Sequence, residues 1–382
     1  MELQEPLVSN PLTNSEFSLY FHLDSNNFQY DEISSDELTL DEDLWGFGFF
    51  WPEIRRNFSS TEELYAAIQD LFDMIAKIKE ENRGKIEEYP PLEIIRNEDR
   101  GICGSYYLID DTGKRHYIIK PLDEDAGCIH SDGFASPFLT SPFRANMPLY
   151  FSAMREVLAY EVAKAIGVGS IVPKTTLGIF SSDLFSDFCN QIDSNEIKTY
   201  LEQCNFADKE KLCSVQEYVE GAKSLFEAIH DLEMAELTDD EIAKRFDQTD
   251  FEDANILIWV TYDTDAHMGN FLVYPKGTDE IGNEILGLKK IDNGLTFPDK
   301  NQQLRNNLSY LPNAGQPLSQ SAKEKIEAID IDTLAEQLEQ MGLNSAVSAL
   351  KTRISLLKSL AKIEGITIKQ INKAMSMVGK KS

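Results

Sequence analysis

The stretch Asp263-Thr264-Asp265-Ala266-His267-Met268-Gly269-Asn270 decides how the rest of the chain is read. Before it stands Asn255-Ile256-Leu257-Ile258-Trp259-Val260, an apolar run that continues a helix announced by a Thr249…Glu252 capping box. After it comes Phe271 to Tyr274, a β-rich run. A polar loop between a buried helix and a strand is where a catalytic loop belongs. Asp265 is suited to orient a substrate hydroxyl and take its proton. Asn270, five residues on, is suited to ligate a divalent cation through its amide oxygen. Asp263 competes for the base role but reads better as a carboxylate that caps the loop. His267 has two readings of equal weight, a structural hydrogen bond or a phosphate contact.

Working outward, Glu284 to Ile291 completes a hairpin with Phe271–Tyr274 and ends in Asp292-Asn293-Gly294. Asp292 is the candidate second metal ligand, and Gly294 permits a sharp turn after it. Upstream, Ser105–Ile109 and His116–Lys120 form a strand pair around the turn sequence Asp110-Asp111-Thr112-Gly113. Lys120 closes the second strand beside Ile118 and Ile119, so its ammonium needs an anion: a phosphate together with a helix carboxylate, best Glu156. Glu156 lies in a helix expected from Phe151 to Ile166, with Gly167 as its stop. Gly101-Ile102-Cys103-Gly104-Ser105 precedes the first strand; its glycines allow close backbone approach to phosphates, and Ser105 adds a hydroxyl. Further strands are expected over Ile171–Ile179 and Ser214–Val219, separated by a polar insertion at 181–211. A Thr238…Glu241 capping box marks another helix.

Phosphoryl transfer from ATP asks for amides and a cation over the phosphates, oxygen ligands for Mg²⁺ and a carboxylate beside the attacking hydroxyl. This chain offers each in a workable order. Strands early and helices later imply an α+β, two-lobed fold.

The chain has 382 residues and a formal net charge of −29, which opposes binding to a nucleic-acid backbone. Its five cysteines are scattered without a C-x-x-C, as expected of free thiols in a reducing compartment. No basic-then-apolar leader is visible, and no apolar run approaches the roughly 20 residues that span a bilayer. The expectation is a cytoplasmic protein, with peripheral membrane attachment as an alternative; an effector delivered into a host cytosol would look the same. Residues 1–55 form an acidic arm with no Lys or Arg before Arg55, and with an aromatic Trp45-Gly46-Phe47-Gly48-Phe49-Phe50-Trp51 anchor. A helix starts near Ser60, and residues 84–91 read as a linker. Residues 351–382 carry Lys351, Arg353, Lys358, Lys362, Lys369, Lys373, Lys380 and Lys381 against Glu364 alone. Such a tail either contacts anionic lipid or packs on acidic parts of its own chain.

These residues carry a resemblance. The stretches Gly104-Ser105-Tyr106-Tyr107-Leu108, Ile119-Lys120-Pro121-Leu122-Asp123-Glu124-Asp125 and Arg155-Glu156-Val157-Leu158-Ala159-Tyr160 begin the match. Ile171-Val172-Pro173-Lys174-Thr175 and Val215-Gln216-Glu217-Tyr218-Val219-Glu220-Gly221 continue it, then the loop to Asn270. Ile291-Asp292-Asn293-Gly294-Leu295-Thr296-Phe297-Pro298, with Leu311-Pro312-Asn313-Ala314 and Pro317-Leu318-Ser319-Gln320, complete it. Together they resemble the phosphatidylinositol 3- and 4-kinase superfamily, most of all the type II phosphatidylinositol 4-kinases.

The resemblance implies a two-lobed protein-kinase-like (phosphoinositide-kinase-like) fold with helical N- and C-terminal extensions, ATP with Mg²⁺ or Mn²⁺, and a phosphoinositide or protein acceptor. It covers about Gly101 to the early 330s and implies an N-lobe over 91–220 and a C-lobe over 221–330. Outside it the residues themselves read as a helical segment and linker over 56–90 and a basic helical extension over 331–382. By it Lys120 contacts the ATP phosphates and pairs with Glu156, and Glu217, Tyr218 and Val219 form the adenine hinge. Asp265 is the catalytic aspartate, and Asn270 and Asp292 hold the metal. Ala266 stands where the family has an Arg, so one loop-anchoring contact lacks its usual residue. The cysteine cluster that anchors animal members to membranes is missing, and only Lys300 and Arg305 follow Asp292 early as cations. Arg155-Glu156-Val157 is similar to plant members, some of which phosphorylate proteins. The same fold also admits AMP transfer, or a catalytically inactive binding module.

Overall fold

In the computed structural model the described residues are 76–77, 79–90, 92–97, 104–124, 151–181, 184–185, 210–300 and 304–378. The acidic arm, its aromatic anchor, most of the helix expected from Ser60 and most of the 181–211 insertion lie outside them.

The first lobe is an antiparallel sheet of β1 (Glu93–Arg96), β2 (Tyr106–Ile109), β3 (Arg115–Pro121), β4 (Thr175–Ser181) and β5 (Glu210–Glu217), in the order β1-β2-β3-β5-β4. Against it packs α1 (Ser152–Ala165), ended as the sequence implies: Gly167 takes φ +77°, its N–H donates to Lys164 O, and Val168 N–H donates to Ala163 O. Those two bonds make a Schellman motif, which needs a residue at ease with positive φ. The expected strand from Ile171 starts later, at Thr175, because Ile171 sits in a 3₁₀ turn and Pro173 has no N–H to give a ladder.

The second lobe holds a small sheet, β6 (Lys223–Ser224), β7 (Phe271–Thr278) and β8 (Glu284–Lys290), and seven helices among the described residues. These are α2 (Leu225–Met234), α3 (Asp239–Arg245), α4 (Gln248–Thr261), α5 (Gln320–Ala328), α6 (Ile331–Gln340), α7 (Val347–Ala361) and α8 (Ile368–Val378). The expected two-lobed α+β arrangement is therefore present. The Thr238–Glu241 capping box opens α3 as expected, and Ser224 with Glu227 makes another at α2. The Thr249–Glu252 box does not form. Asp247 caps α4 instead, accepting from Asp250 N–H, while Glu252 turns inward to accept the N–H and hydroxyl of Ser319. A buried carboxylate with two donors waiting outcompetes a solvent-exposed cap.

α4 is buried all round, with Phe251, Ile256, Ile258, Trp259 and Val260 at 0% exposure, and it is the axis of the lobe. Residues 331–378 share that core. Trp259 Nε1 donates to Asn372 Oδ1, Tyr262 Oη donates to Met375 O, and Ile368, Ile371 and Met375 are fully buried.

Candidate active site

Three elements deliver the charged centre. β3 is paired so that Lys120 lies opposite Ser214, which places its side chain at the sheet face that α1 covers. Glu156, on α1, is 2% exposed, and Asp292 follows β8 directly. Lys120 Nζ stands 2.6 Å from Glu156 Oε1 and 2.8 Å from Asp292 Oδ1. Glu156 Oε2 accepts the Asn293 N–H at 2.9 Å, tying the helix to the Asp292 turn. Burial alone would lower the Lys120 pKa, but the two carboxylates hold the ammonium well above its ordinary range. Burial would raise Asp292, and Lys120 together with Lys290 holds it well below the usual carboxylate range.

Asp292 itself adopts φ +55°, so the left-handed turn is made by the aspartate and not by the glycine two residues later. Gly294 is small for another reason. A Cβ there would meet Ser152 Cβ at 3.1 Å, at the start of α1.

The Asp263–Asn270 loop is held from all sides. Asp263 Oδ1 accepts the Asp265 N–H at 2.7 Å, the capping geometry its position suggested. Its other oxygen is 2.8 Å from Lys290 Nζ in a pair whose side chains are each 1% exposed. Lys290 also donates to Ile291 O at 2.7 Å and Asp292 O at 3.2 Å, so one buried ammonium links the Asp263–Asn270 loop to the Asp292 turn. The sequence assigns Lys290 no role of its own; its place directly before Ile291-Asp292 was the available signal, shared with Lys289 beside it.

His267 Nδ1 accepts the Gly269 N–H at 3.0 Å, a structural bond, and its Nε2 is 3.9 Å from Asp265 Oδ2. Burial, then Arg305, lowers the His267 pKa to about 4, so the ring is neutral at ordinary pH. Asn270 Nδ2 donates to Asp265 O at 2.9 Å, which turns the amide oxygen the other way. Ile291 N–H donates to Asn270 O at 3.0 Å, and Phe271 pairs with Lys290 across β7 and β8. The hairpin thus brings Asn270 and Asp292 to neighbouring strand ends. A carboxylate that is 53% exposed and a neighbouring amide form a hard oxygen donor set that suits Mg²⁺ or Mn²⁺ completed by water and phosphate. Among the described residues no group of three or more His, Cys, Asp or Glu offers a self-sufficient metal cage.

Asp265 is pushed up to about 7 by burial, with Asp263 and Asp292 adding to the effect and Arg305 opposing it. Arg305 NH1 lies 2.9 Å from Asp265 Oδ1. It supplies, from a later segment, a cation for the loop in which position 266 is a fully buried alanine.

At the other end, Glu217 closes β5, its N–H donating to Lys174 O and that of Tyr218 to His116 O, each at 2.9 Å. Val219 follows just beyond the end of the strand. Tyr218 packs edge-on against Tyr107, with Arg115 over both rings. Gly104 and Ser105 lie where β2 begins, and Asn97 N–H donates to Ser105 O at 2.9 Å to close the β1–β2 connection. Gly104 has a packing reason for lacking a side chain: a Cβ would fall 2.0 Å from Glu124 Oε2. That carboxylate is held by the Tyr106 hydroxyl and by Lys211.

The structure therefore gathers Lys120, Glu156 and Asp292 in direct contact and Asp265, His267 and Asn270 in one braced loop, with Glu217–Val219 at the end of β5. No protein-family model matches the chain, and no curated protein matches it. Among solved structures the chain is similar to the crystal structure of the Golgi casein kinase, at 13% identity and a TM-score of 0.41, over 99% of this chain and 94% of that one.

Proposed function

We propose that this protein is an ATP-dependent kinase that transfers the γ-phosphate to a hydroxyl. The observation that carries the reading is Lys120 bridging Glu156 and Asp292, with Asp265 and Asn270 presented from the adjoining loop. With nucleotide bound, Lys120 exchanges its contact with Asp292 for the phosphates and keeps Glu156. Asp292 and the Asn270 amide oxygen would hold Mg²⁺ or Mn²⁺, which when bound would neutralise charge on the phosphates. Asp265 accepts a hydrogen bond from the acceptor hydroxyl and takes its proton as that oxygen bonds to the γ-phosphorus, the bond to the β–γ bridging oxygen breaks and ADP leaves.

The acceptor we infer first is a phosphoinositide, on the run of motifs shared with type II phosphatidylinositol 4-kinases, with the basic tail as a contact for an anionic membrane. A protein hydroxyl is the second reading, and a specific observation favours it. Cations that the lipid reading would use are engaged inside the chain: Arg305 with Asp265, Lys351 with Asp332 at 3.0 Å, and Lys362 with Glu327 at 3.4 Å. Lys369 and Lys373 remain exposed.

The test uses the full chain with γ-labelled ATP and Mg²⁺, offered phosphatidylinositol vesicles and casein separately. Label in lipid supports the first acceptor and label in casein alone supports the second. Absence of both, with no nucleotide-induced thermal shift, supports an inactive binding module. A product heavier by AMP instead of phosphate would make the enzyme an AMP transferase. Asp265→Asn is expected to cut transfer about a thousandfold or more while leaving the nucleotide thermal shift in place.

A further inference from the structure

We propose that Arg305 is the positioning residue of the catalytic aspartate, holding one Asp265 oxygen so that the other is presented to the acceptor hydroxyl. This rests on the kinase reading above.

The charge inventory of the centre comes first. Four carboxylates meet there, Glu156, Asp263, Asp265 and Asp292, and two of the nearby cations are engaged elsewhere. Lys120 is divided between Glu156 and Asp292, and Lys290 between Asp263 and the carbonyls of Ile291 and Asp292. Arg305 is the cation in contact with Asp265, at 2.9 Å, and both side chains are largely buried, at 14% and 15% exposure. An aspartate between Asp263 and Asp292 without such a partner would be repelled by both.

Geometry gives the contact its purpose. Arg305 takes Oδ1, whereas Oδ2 has His267 Nε2 at 3.9 Å, beyond hydrogen-bonding range. One oxygen is held by the guanidinium, and the other is left at that longer distance from His267. The guanidinium is itself rigidly carried. Ala266 and Asn306 form a parallel bridge, Asn307 N–H donates to Ala266 O at 3.0 Å, and Arg305 N–H donates to Asp263 O at 3.4 Å. Asn306 is pinned in turn, its Nδ2 donating to Asn255 and Asn372, each at 2.8 Å. The segment from 304 to 307 is thus stapled along the catalytic loop, and its arginine acts on the aspartate from outside that loop. Ala266, at 0% exposure, has no space for a cation of its own.

The experiment compares the full-length wild type with Arg305→Ala, Arg305→Gln and Arg305→Lys, using ATP and whichever acceptor, phosphatidylinositol vesicles or casein, the wild type phosphorylates. Wild-type inactivity on both would count against the kinase reading and not against this one, which would then be read from the thermal shift alone: Asp265→Asn should erase the stability difference between wild type and Arg305→Gln. In an active enzyme, Arg305→Ala is expected to lower kcat about a hundredfold, the scale of a misplaced catalytic group, with KM for ATP changed less than about threefold. Arg305→Lys should recover part of the loss, and added guanidinium should restore kcat to Arg305→Ala but not to Asp265→Asn. Unchanged kcat in Arg305→Gln, a rise in KM for ATP without loss of kcat, or a kcat loss that guanidinium and lysine both fail to relieve in a folded variant would each overturn the assignment.

Discussion

At the scale of the residue, Asp265 is a carboxylate whose environment works against its charge, which suits a group that must take a proton. Its pKa of about 7 carries a sign that can be checked. Below that value the folded protein keeps a proton on Asp265 and the base is blocked, so kcat/KM, which reports the free enzyme, should rise about tenfold per pH unit up to about 7 and then level. Stability should move the other way. Between pH 4 and 7 the unfolded chain has released a proton that the folded chain retains, so this group's contribution to stability falls as pH rises through that window. A pH series of kcat/KM beside thermal melts, for wild type and Asp265→Asn, separates the two. Lys120 gives a second prediction. Lys120→Met should abolish transfer and lower stability by about 1–3 kcal/mol at neutral pH, measured by urea titration, because Glu156 loses its cation while remaining 2% exposed. Lys120 is itself partly open to water, so the loss is placed below that of a fully buried pair.

At the scale of the element, one glycine that looks functional in the sequence also has a packing role. Gly104 precedes β2 as a glycine over phosphate would, yet the contact it makes room for is Glu124, which Tyr106 and Lys211 hold in place. Gly104→Ala should therefore cost about 1–3 kcal/mol of stability, read from a urea melt, because the Cβ meets a carboxylate that cannot easily retreat. The β7–β8 hairpin shows the opposite relation. Its register sets Phe271 against Lys290, and that single pairing brings the metal-ligand candidates Asn270 and Asp292 together. Most elements were legible because their causes are local: β-rich runs around the Asp110–Gly113 turn for β2 and β3, the Gly167 stop for α1, the Thr238 box for α3. Thr249–Glu252 misled because Ser319, some seventy residues away, claims Glu252.

At the scale of the molecule, the C-terminal helices belong to the second lobe's core. Ile368, Ile371 and Met375 are each 0% exposed, and Asn372 joins Trp259 to Asn306. Burial of three such side chains is worth about 5–9 kcal/mol, comparable to the whole stability of a domain. Truncation after Gly365 should thus give a chain without a cooperative thermal transition by circular dichroism; a detachable tail would leave the melt unchanged. Arg353 offers a contrasting test. It is fully buried on α7 over the Tyr262 ring, and burial lowers its pKa to about 9. Replacing an interior charge by an apolar group of similar length is often neutral or favourable, so Arg353→Met is expected to hold or raise the melting temperature.

The sequence by itself determined the order and character of the elements, the candidates Lys120, Glu156, Asp265, Asn270 and Asp292, and the acidic balance that opposes nucleic acid. These follow from side-chain period, local turn chemistry and the small set of groups that phosphoryl transfer uses. Tertiary structure alone decided the partners. That Arg305 reaches Asp265, that Lys290 ties Asp263 to the Asp292 turn, that Asp292 and not Gly294 makes the left-handed turn, and that the lysine-rich end is part of a core all depend on residues brought together from distant positions. The physical reason is that a buried charge is settled by whichever opposite charge the fold sets within about 3 Å of it, and chain spacing carries no record of that distance.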